Sequence, residues 1–202
     1  MLTRSVWQTW LALMLLTVAT GARAFDLRQL EAQLSEPAVI RGTFVQEKHL
    51  RALPQPLVSK GVYVLAREHG LLWLLRQPIE QDYRITDAGV ARRSADGWHM
   101  TDQQRAAAQH NRLFLAVLRG DSSALARDFA LDLSGTAQRW QLELTPRSAL
   151  LRQIFSRILI SGGATPQRIE LFESQGDRTL LMLENSQIDD QLSADEHHDL
   201  TY

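Results

Sequence analysis

The chain has 202 residues, with 22 basic and 23 acidic side chains, six histidines and no cysteine. A balance this close to neutral gives no basic face for phosphates and argues against nucleic-acid binding. Without cysteine there is no thiolate metal site, no thiol nucleophile and no lipidated N-terminal cysteine.

The first 24 residues read as a secretory signal. Arg4 supplies the positive start, Leu11 to Val18 is a short apolar core, and Ala22-Arg23-Ala24 is an A-x-A cleavage site. The rival reading is an uncleaved anchor, but the run falls well short of the ~20 residues that cross a bilayer. The expectation is export to the periplasm and cleavage before Phe25. Residues 25–202 then form one soluble domain. Removing Arg4 and Arg23 leaves 22 − 2 = 20 basic against 23 acidic residues, a net charge near −3.

Asp26 to Ser35 reads as an opening helix. Asp26 is its N-cap, Leu27, Leu30 and Leu34 form an apolar stripe, and Pro37 stops it. Three antiparallel strands are expected between Arg41 and Pro78, with breaks at Pro54, Pro56, Gly70 and Pro78. The third carries Leu71, Trp73 and Leu75 on one face and Leu72 and Leu74 on the other. A strand wetted on one side alternates apolar with polar, so something dry must cover its second face.

Asp82 to Thr86 is a fourth strand, and Ala88 to Arg93 with Gly97 to Thr101 a further hairpin. Gln103 to Gln109 is polar and Ala-rich. It leads into a helix from Asn111 to Leu118, with Leu113, Phe114, Val117 and Leu118 on one side and Gly120 as a stop. A short helix over Ser122 to Arg127 follows. Phe129 to Leu133 and Trp140 to Thr145 flank a Ser134-Gly135 turn, and Pro146 to Arg152 is a connection with one helical turn. Ile154 to Ser161, Gln167 to Glu173 and Thr179 to Glu184 make a last meander, and the acidic tail from Asp189 is expected to fray. The sum is a mainly β (α+β) domain. It is a large curved antiparallel sheet of about ten or eleven strands, with helices gathered on one side above an apolar hollow.

Catalytic signatures are missing from the sequence. There is no G-x-S-x-G elbow and no H-E-x-x-H. His197-His198 with Asp195, Glu196 and Asp199 is read as a solvated tail rather than a metal site, Asp189-Asp190 as a solvated turn, and Ser161-Gly162-Gly163 as a turn rather than a phosphate loop. Arg92-Arg93 reads as a solvated edge or a face toward an acidic partner. An undetected hydrolase stays a minor alternative.

Gly42-Thr-Phe44-Val-Gln46, Gly61-Val-Tyr-Val64, Arg67, Trp73, Pro78, Leu144-Thr145-Pro146 and Gly176-Asp177 with Thr179 resemble, in order and spacing, the LolA-like family of periplasmic outer-membrane lipoprotein carriers. The resemblance covers nearly the whole chain after the signal. It implies an unclosed barrel with a short-helix lid over an apolar cavity, no enzymatic activity and no cofactor. Its cargo would be an acylated lipoprotein, or a lipid or glycolipid. Its partners would be an inner-membrane exporter and an outer-membrane receptor, with the carrier a monomer.

The family's functional arginine falls on Arg67, giving it a role in cargo release. The plainer reading is a solvated strand-end charge. The sequence departs from the family pattern at Arg67-Glu68, where Arg-Pro is usual, and at Ala88-Gly89 with Arg92-Arg93. Divergent members serve lipid or glycolipid exporters, and a non-catalytic periplasmic adaptor is a further alternative. Expected cavity-wall residues are Phe44, Val62, Val64, Leu71, Trp73, Leu75, Ile158, Ile160, Phe172 and Met182. Leu113, Phe114 and Val117 are expected in the lid. For each of these, ordinary core packing is the competing role.

Overall fold

Glycines set opposite aromatic rings fix the centre of the sheet. In the computed structural model, which describes residues 25–100 and 108–201, β1 (Val39–His49) pairs antiparallel with β2 (Leu57–Ala66). Gly61 faces Phe44 and Gly42 faces Tyr63 across this pair. A Cβ on Gly61 would lie 2.7 Å from the Phe44 ring and 2.1 Å from the Leu74 carbonyl oxygen. One on Gly42 would lie 2.7 Å from the Tyr63 ring and from the Glu184 carbonyl oxygen. Each ring lies over its glycine, so the missing side chain becomes packing space rather than a void.

β2 turns into β3 (Gly70–Gln77), and β4 (Gln81–Thr86), β5 (Gly89–Ser94) and β6 (Gly97–His99) continue the meander. Before β1 stands α1 (Leu27–Ser35), closed by a reciprocal capping box between Asp26 and Gln29. After β6 the chain enters α2 (Ala108–Arg119) and α3 (Ser122–Asp128). A second meander follows: β7 (Phe129–Thr136), β8 (Arg139–Pro146), α4 (Ala149–Ile154), β9 (Phe155–Gly162), β10 (Pro166–Glu173) and β11 (Arg178–Asp189). The last helix is α5 (Ala194–Thr201).

The eleven strands form one sheet in the order β6-β5-β4-β3-β2-β1-β11-β10-β9-β8-β7, so the two meanders join where β1 meets β11. Among the described residues β6 and β7 do not pair, and the barrel stays unclosed. The expected signal segment and residues 101–107, which take in the end of the expected hairpin and most of the polar stretch, lie outside the described residues.

The main core lies on the inner face. It joins Leu30 and Leu34 of α1, Leu115 to Leu118 of α2 and Leu125 of α3 to inward side chains of the sheet such as Phe44, Leu71, Leu142 and Ile160. The apolar periodicity of α1 thus buries one stripe against the sheet. Trp140 is buried in this core, and its indole N–H donates to the Gly163 carbonyl at 2.7 Å.

Two expectations are corrected at the C-terminus. The tail beyond Asp189 does not fray, and the helices do not all gather on one side. Ser193 and Glu196 cap α5 reciprocally, with Glu196 N–H donating to Ser193 Oγ at 3.2 Å and Ser193 N–H to Glu196 Oε2 at 2.7 Å. The helix lies on the outer face, where Leu200 is buried with Val39, Val64, Ala66 and Leu72 beside Leu74, Trp98 and Leu192. This is the dry cover that the two-faced strand β3 required.

Salt bridges hold α5 in place. Arg41 grips Glu196 through Nε at 2.7 Å and Nη2 at 2.6 Å, and reaches Asp189 at 3.0 Å and the Gln191 carbonyl at 2.8 Å. Arg93 pairs with Asp199 and, at 3.2 Å, with Asp82, while Arg84 donates to the Asp199 carbonyl at 3.0 Å. Arg93 is therefore not a solvated edge: the acidic partner is the chain's own last helix.

Candidate functional site

Where the helices leave the inner face uncovered, a cavity of about 330 Å³ opens to solvent. Its floor is Trp73 and Ile85 from one meander and Ile158, Ile169, Leu171 and Leu181 from the other. Leu113, Phe114 and Val117 of α2 form its roof, and Phe155, Gln46 and Thr179 complete the wall. Sheet alternation produces this set: Ile169 and Leu171 are inward positions of β10, and Leu181 of β11 stands opposite both Ile169 and Gln46.

Trp73 organises the floor. Its ring stacks on Phe44 at 3.6 Å between centroids, meets Phe114 of the roof edge-on at 5.8 Å, and lies 6.5 Å from Tyr63. Aromatic pairs in these geometries add about 0.5–1.5 kcal/mol beyond area burial, so the roof helix is attached here by ring contact. Tyr63 is buried, which pushes its phenol above the ordinary range, while a 2.7 Å hydrogen bond to Ser186 acts in the opposite direction.

The expected wall residues divide into three groups. Trp73 and Ile158 line the cavity, as do the roof residues Leu113, Phe114 and Val117. Phe44, Leu71, Leu75 and Ile160 are on the same face but pack within or against the core rather than bordering the cavity. Val62, Val64, Phe172 and Met182 are on the outer face, and for these the wall assignment is corrected. Val64 belongs to the cluster under α5, Val62 is 37% exposed, Met182 borders an outer groove with Arg168, and Phe172 carries the Arg157 guanidinium 4.4 Å above its ring.

The residues missed were Ile85, Phe155, Ile169, Leu171 and Leu181, with the polar Gln46 and Thr179. A signal existed on β10: Arg168 and Glu170 share the face of Phe172, so Ile169 and Leu171 must point inward.

Arg67 lies outside this cavity. Its Nη2 donates to the Pro37 carbonyl at 2.8 Å, and its backbone N–H donates to Ala38 at 3.0 Å. The side chain borders an open groove of about 570 Å³ with Glu68, His69, Asp190, Leu192 and His197. His69 and His197 meet edge-on at 5.7 Å there. Along β2 this end is seven residues from Ser59, the partner of Gln46, or roughly 20 Å at the rise of a strand.

The strongest electrostatic feature is structural. The Arg41 guanidinium holds the Glu196 carboxyl down to about 2, with burial opposing and the Ser193 bonds assisting. No group of three or more His, Asp or Glu side chains among the described residues could hold a metal ion. No described helix is long and apolar enough to cross a membrane.

The profile of the family described as "Outer membrane lipoprotein carrier protein LolA-like" matches residues 19–196. The chain belongs to this LolA-like family. Among solved structures, the Pseudomonas aeruginosa MucA/MucB complex is similar at a TM-score of 0.50 and 17% identity, covering 84% of this chain and 58% of that one. The LolA-like chain thus spans under two thirds of that protein's length, and the likeness shows the fold alone. A LolA superfamily protein from Nitrosomonas europaea follows at 0.47 and 10% identity, covering 87% and 96% of the two chains. A DUF1329 family protein from Desulfovibrio piger follows at 0.46 and 13%, covering 88% and 97%. No curated protein matches the sequence.

Proposed function

We propose that this LolA-like chain is a periplasmic carrier that shelters acyl chains beneath α2 and passes them toward the outer membrane. The observation that supports this is the apolar cavity beside Trp73, left open under a roof of three α2 side chains. Each methylene brought out of water is worth about 0.8 kcal/mol, so an acylated molecule crosses an aqueous compartment slowly unless its chains are covered. The carrier needs no chemical step. It needs only a roof that lifts.

Export by residues 1–24 belongs to the proposal, with an inner-membrane exporter as donor and an outer-membrane receptor as acceptor. The first cargo is the acylated part of a lipoprotein, in keeping with the family description. A free lipid or glycolipid is the second reading, favoured by the modest volume of the cavity.

The test is native mass spectrometry of protein taken directly from the periplasm. A bound acylated protein supports the first cargo and a bound free lipid the second. An empty chain that takes up no added lipid overturns the carrier reading. The same spectrum reads the N-terminus, expected at Phe25.

A further inference from the structure

The cavity and its rim narrow the cargo, on the assumption that the chain is a carrier. About 330 Å³ is at the low end of the ~300–1,000 Å³ of single-ligand pockets. A pocket of that size suits one acyl tail with its end protruding, rather than three tails side by side.

The rim is graded in polarity along one face of β1. Phe44 is buried at the centre, Gln46 lines the cavity, and Lys48 is two residues further out by the alternation of the strand. Thr179, the register partner of Lys48, also lines the cavity. Among the described residues neither the Gln46 amide nor the Thr179 hydroxyl has a side-chain hydrogen bond, although all the other side chains lining the cavity are apolar. Polar groups at the border of an apolar pocket fix a ligand's orientation. Lys48 is half-exposed, and its nearest carboxylate is Glu173 at 4.0 Å, the outer limit of an ion pair.

From the inside outward the sequence is therefore apolar floor, neutral hydrogen-bond donors, and a loosely paired ammonium. We propose that the carried molecule is a single-chain acyl lipid with an anionic head. Its tail lies against Trp73 and Ile158, its carbonyl oxygen accepts from Gln46 Nε2 and Thr179 Oγ1, and its head meets Lys48 Nζ. Glu173 is the internal competitor that the head displaces. A lysophospholipid meets these groups with its ester carbonyl and its phosphate, and a fatty acid with the two oxygens of its one carboxylate.

The test titrates purified protein, by tryptophan fluorescence and native mass spectrometry, with palmitate, 1-palmitoyl lysophosphatidate, neutral 1-palmitoylglycerol and a triacylated lipopeptide. The expected result is one amphiphile per chain, with an anionic lipid held about tenfold more tightly than the glyceride, as one charge-assisted contact would give. The better of palmitate and lysophosphatidate identifies the head. Lys48→Gln is expected to erase the anionic preference and leave the glyceride unchanged. Glu173→Gln is expected to strengthen that preference, and Gln46→Leu with Thr179→Val to weaken all three single-chain lipids. Circular dichroism checks that each variant is folded. If the lipopeptide binds more tightly than every single-chain lipid, or Lys48→Gln keeps the preference, the proposal fails while the carrier reading stands. If nothing binds, both fail.

Discussion

Two helices cover opposite faces of neighbouring strands, and they are held by different means. On the inner face α2 lies on β4 and β5 with Leu113, Phe114 and Val117 above the cavity. Among the described residues its ion pair on this side is Arg119 to Asp87 at 3.4 Å, with Asp87 70% exposed. On the outer face α5 lies on β3, with Leu200 buried and Glu196 and Asp199 locked to Arg41 and Arg93. Apolar contacts have no strong directional preference, so a helix resting on them can shift along a surface it also helps to bury. A bidentate guanidinium–carboxylate pair fixes position and angle together. Among the described residues the sheet thus carries one cover resting mainly on apolar contacts and one pinned by ion pairs.

The largest expected effect comes from removing the fixed cover's anchor. Arg41→Ala leaves the Glu196 carboxylate without its guanidinium and the Gln191 carbonyl without its donor. A loss of about 2–3 kcal/mol is expected, less than for a fully buried pair because both side chains retain some solvent. Asp87→Ala at α2 removes only an exposed partner and is expected to cost under about 0.5 kcal/mol. Denaturant melts of the two variants measure the contrast, and equal losses would remove the distinction between the helices.

Acid tests the same difference without mutation. Glu196 is lowered from 4.5 to about 2 in the folded chain. A depressed carboxylate contributes stability that is complete above its unfolded value and is lost as the pH falls through the folded one. The contribution of α5 should therefore be full above about 4.5 and decline towards 2, by roughly 2–3 kcal/mol in total. Amide hydrogen exchange is expected to show Ala194 to Thr201 losing protection over that window while α2 changes little. Loss of protection in α2 before α5 would contradict the assignment of covers.

How much of this was legible in the sequence depends on what sets each feature. The strand succession was readable because Pro54, Pro56, Gly70, Pro78 and Gly135 punctuate it, and α1 because Asp26 and its leucines obey helix rules. That β3 has two dry faces was also readable from Leu71 to Leu75. What covers the second face is harder to read, because the segment from Asp189 is acidic and charge alone suggests solvent. Yet Ser193-Ala-Asp-Glu196 carries the capping-box spacing, and Leu192 and Leu200 are apolar anchors eight residues apart. The cavity itself was half legible. Trp73, Ile158 and the α2 roof lie where expected, but a strand apolar on both sides does not declare which alternate set faces in. That parity is set by register with a neighbour; among the cavity strands it is legible in β4, with Asp82 and Arg84 on one face, and in β10, with Arg168 and Glu170 on one face.

The smallest effect concerns Arg67, which borders a groove with His197 of α5 and a small gap with Arg119 of α2 but whose hydrogen bonds go to neither helix. Its hydrogen bond to the Pro37 carbonyl ties the β2–β3 turn to the link between α1 and β1, and α1 packs against α2. We infer that any role in cargo release runs through this link, since Arg67 is at the end of β2 away from Gln46. Arg67→Leu keeps most of the side-chain bulk and removes the hydrogen bond, worth about 0.7 kcal/mol or roughly a threefold change in an opening equilibrium. The expected outcome is acyl-lipid exchange about threefold faster, with the melting midpoint nearly unchanged, measured by transfer of a fluorescent fatty acid to vesicles. Leu113→Ala, which acts on the roof itself, gives the reference rate. If Arg67→Leu releases lipid at the wild-type rate while Leu113→Ala does not, Arg67 is an ordinary strand-end charge, and the mobility of α2 is set locally by its contacts with Trp73 and its neighbours.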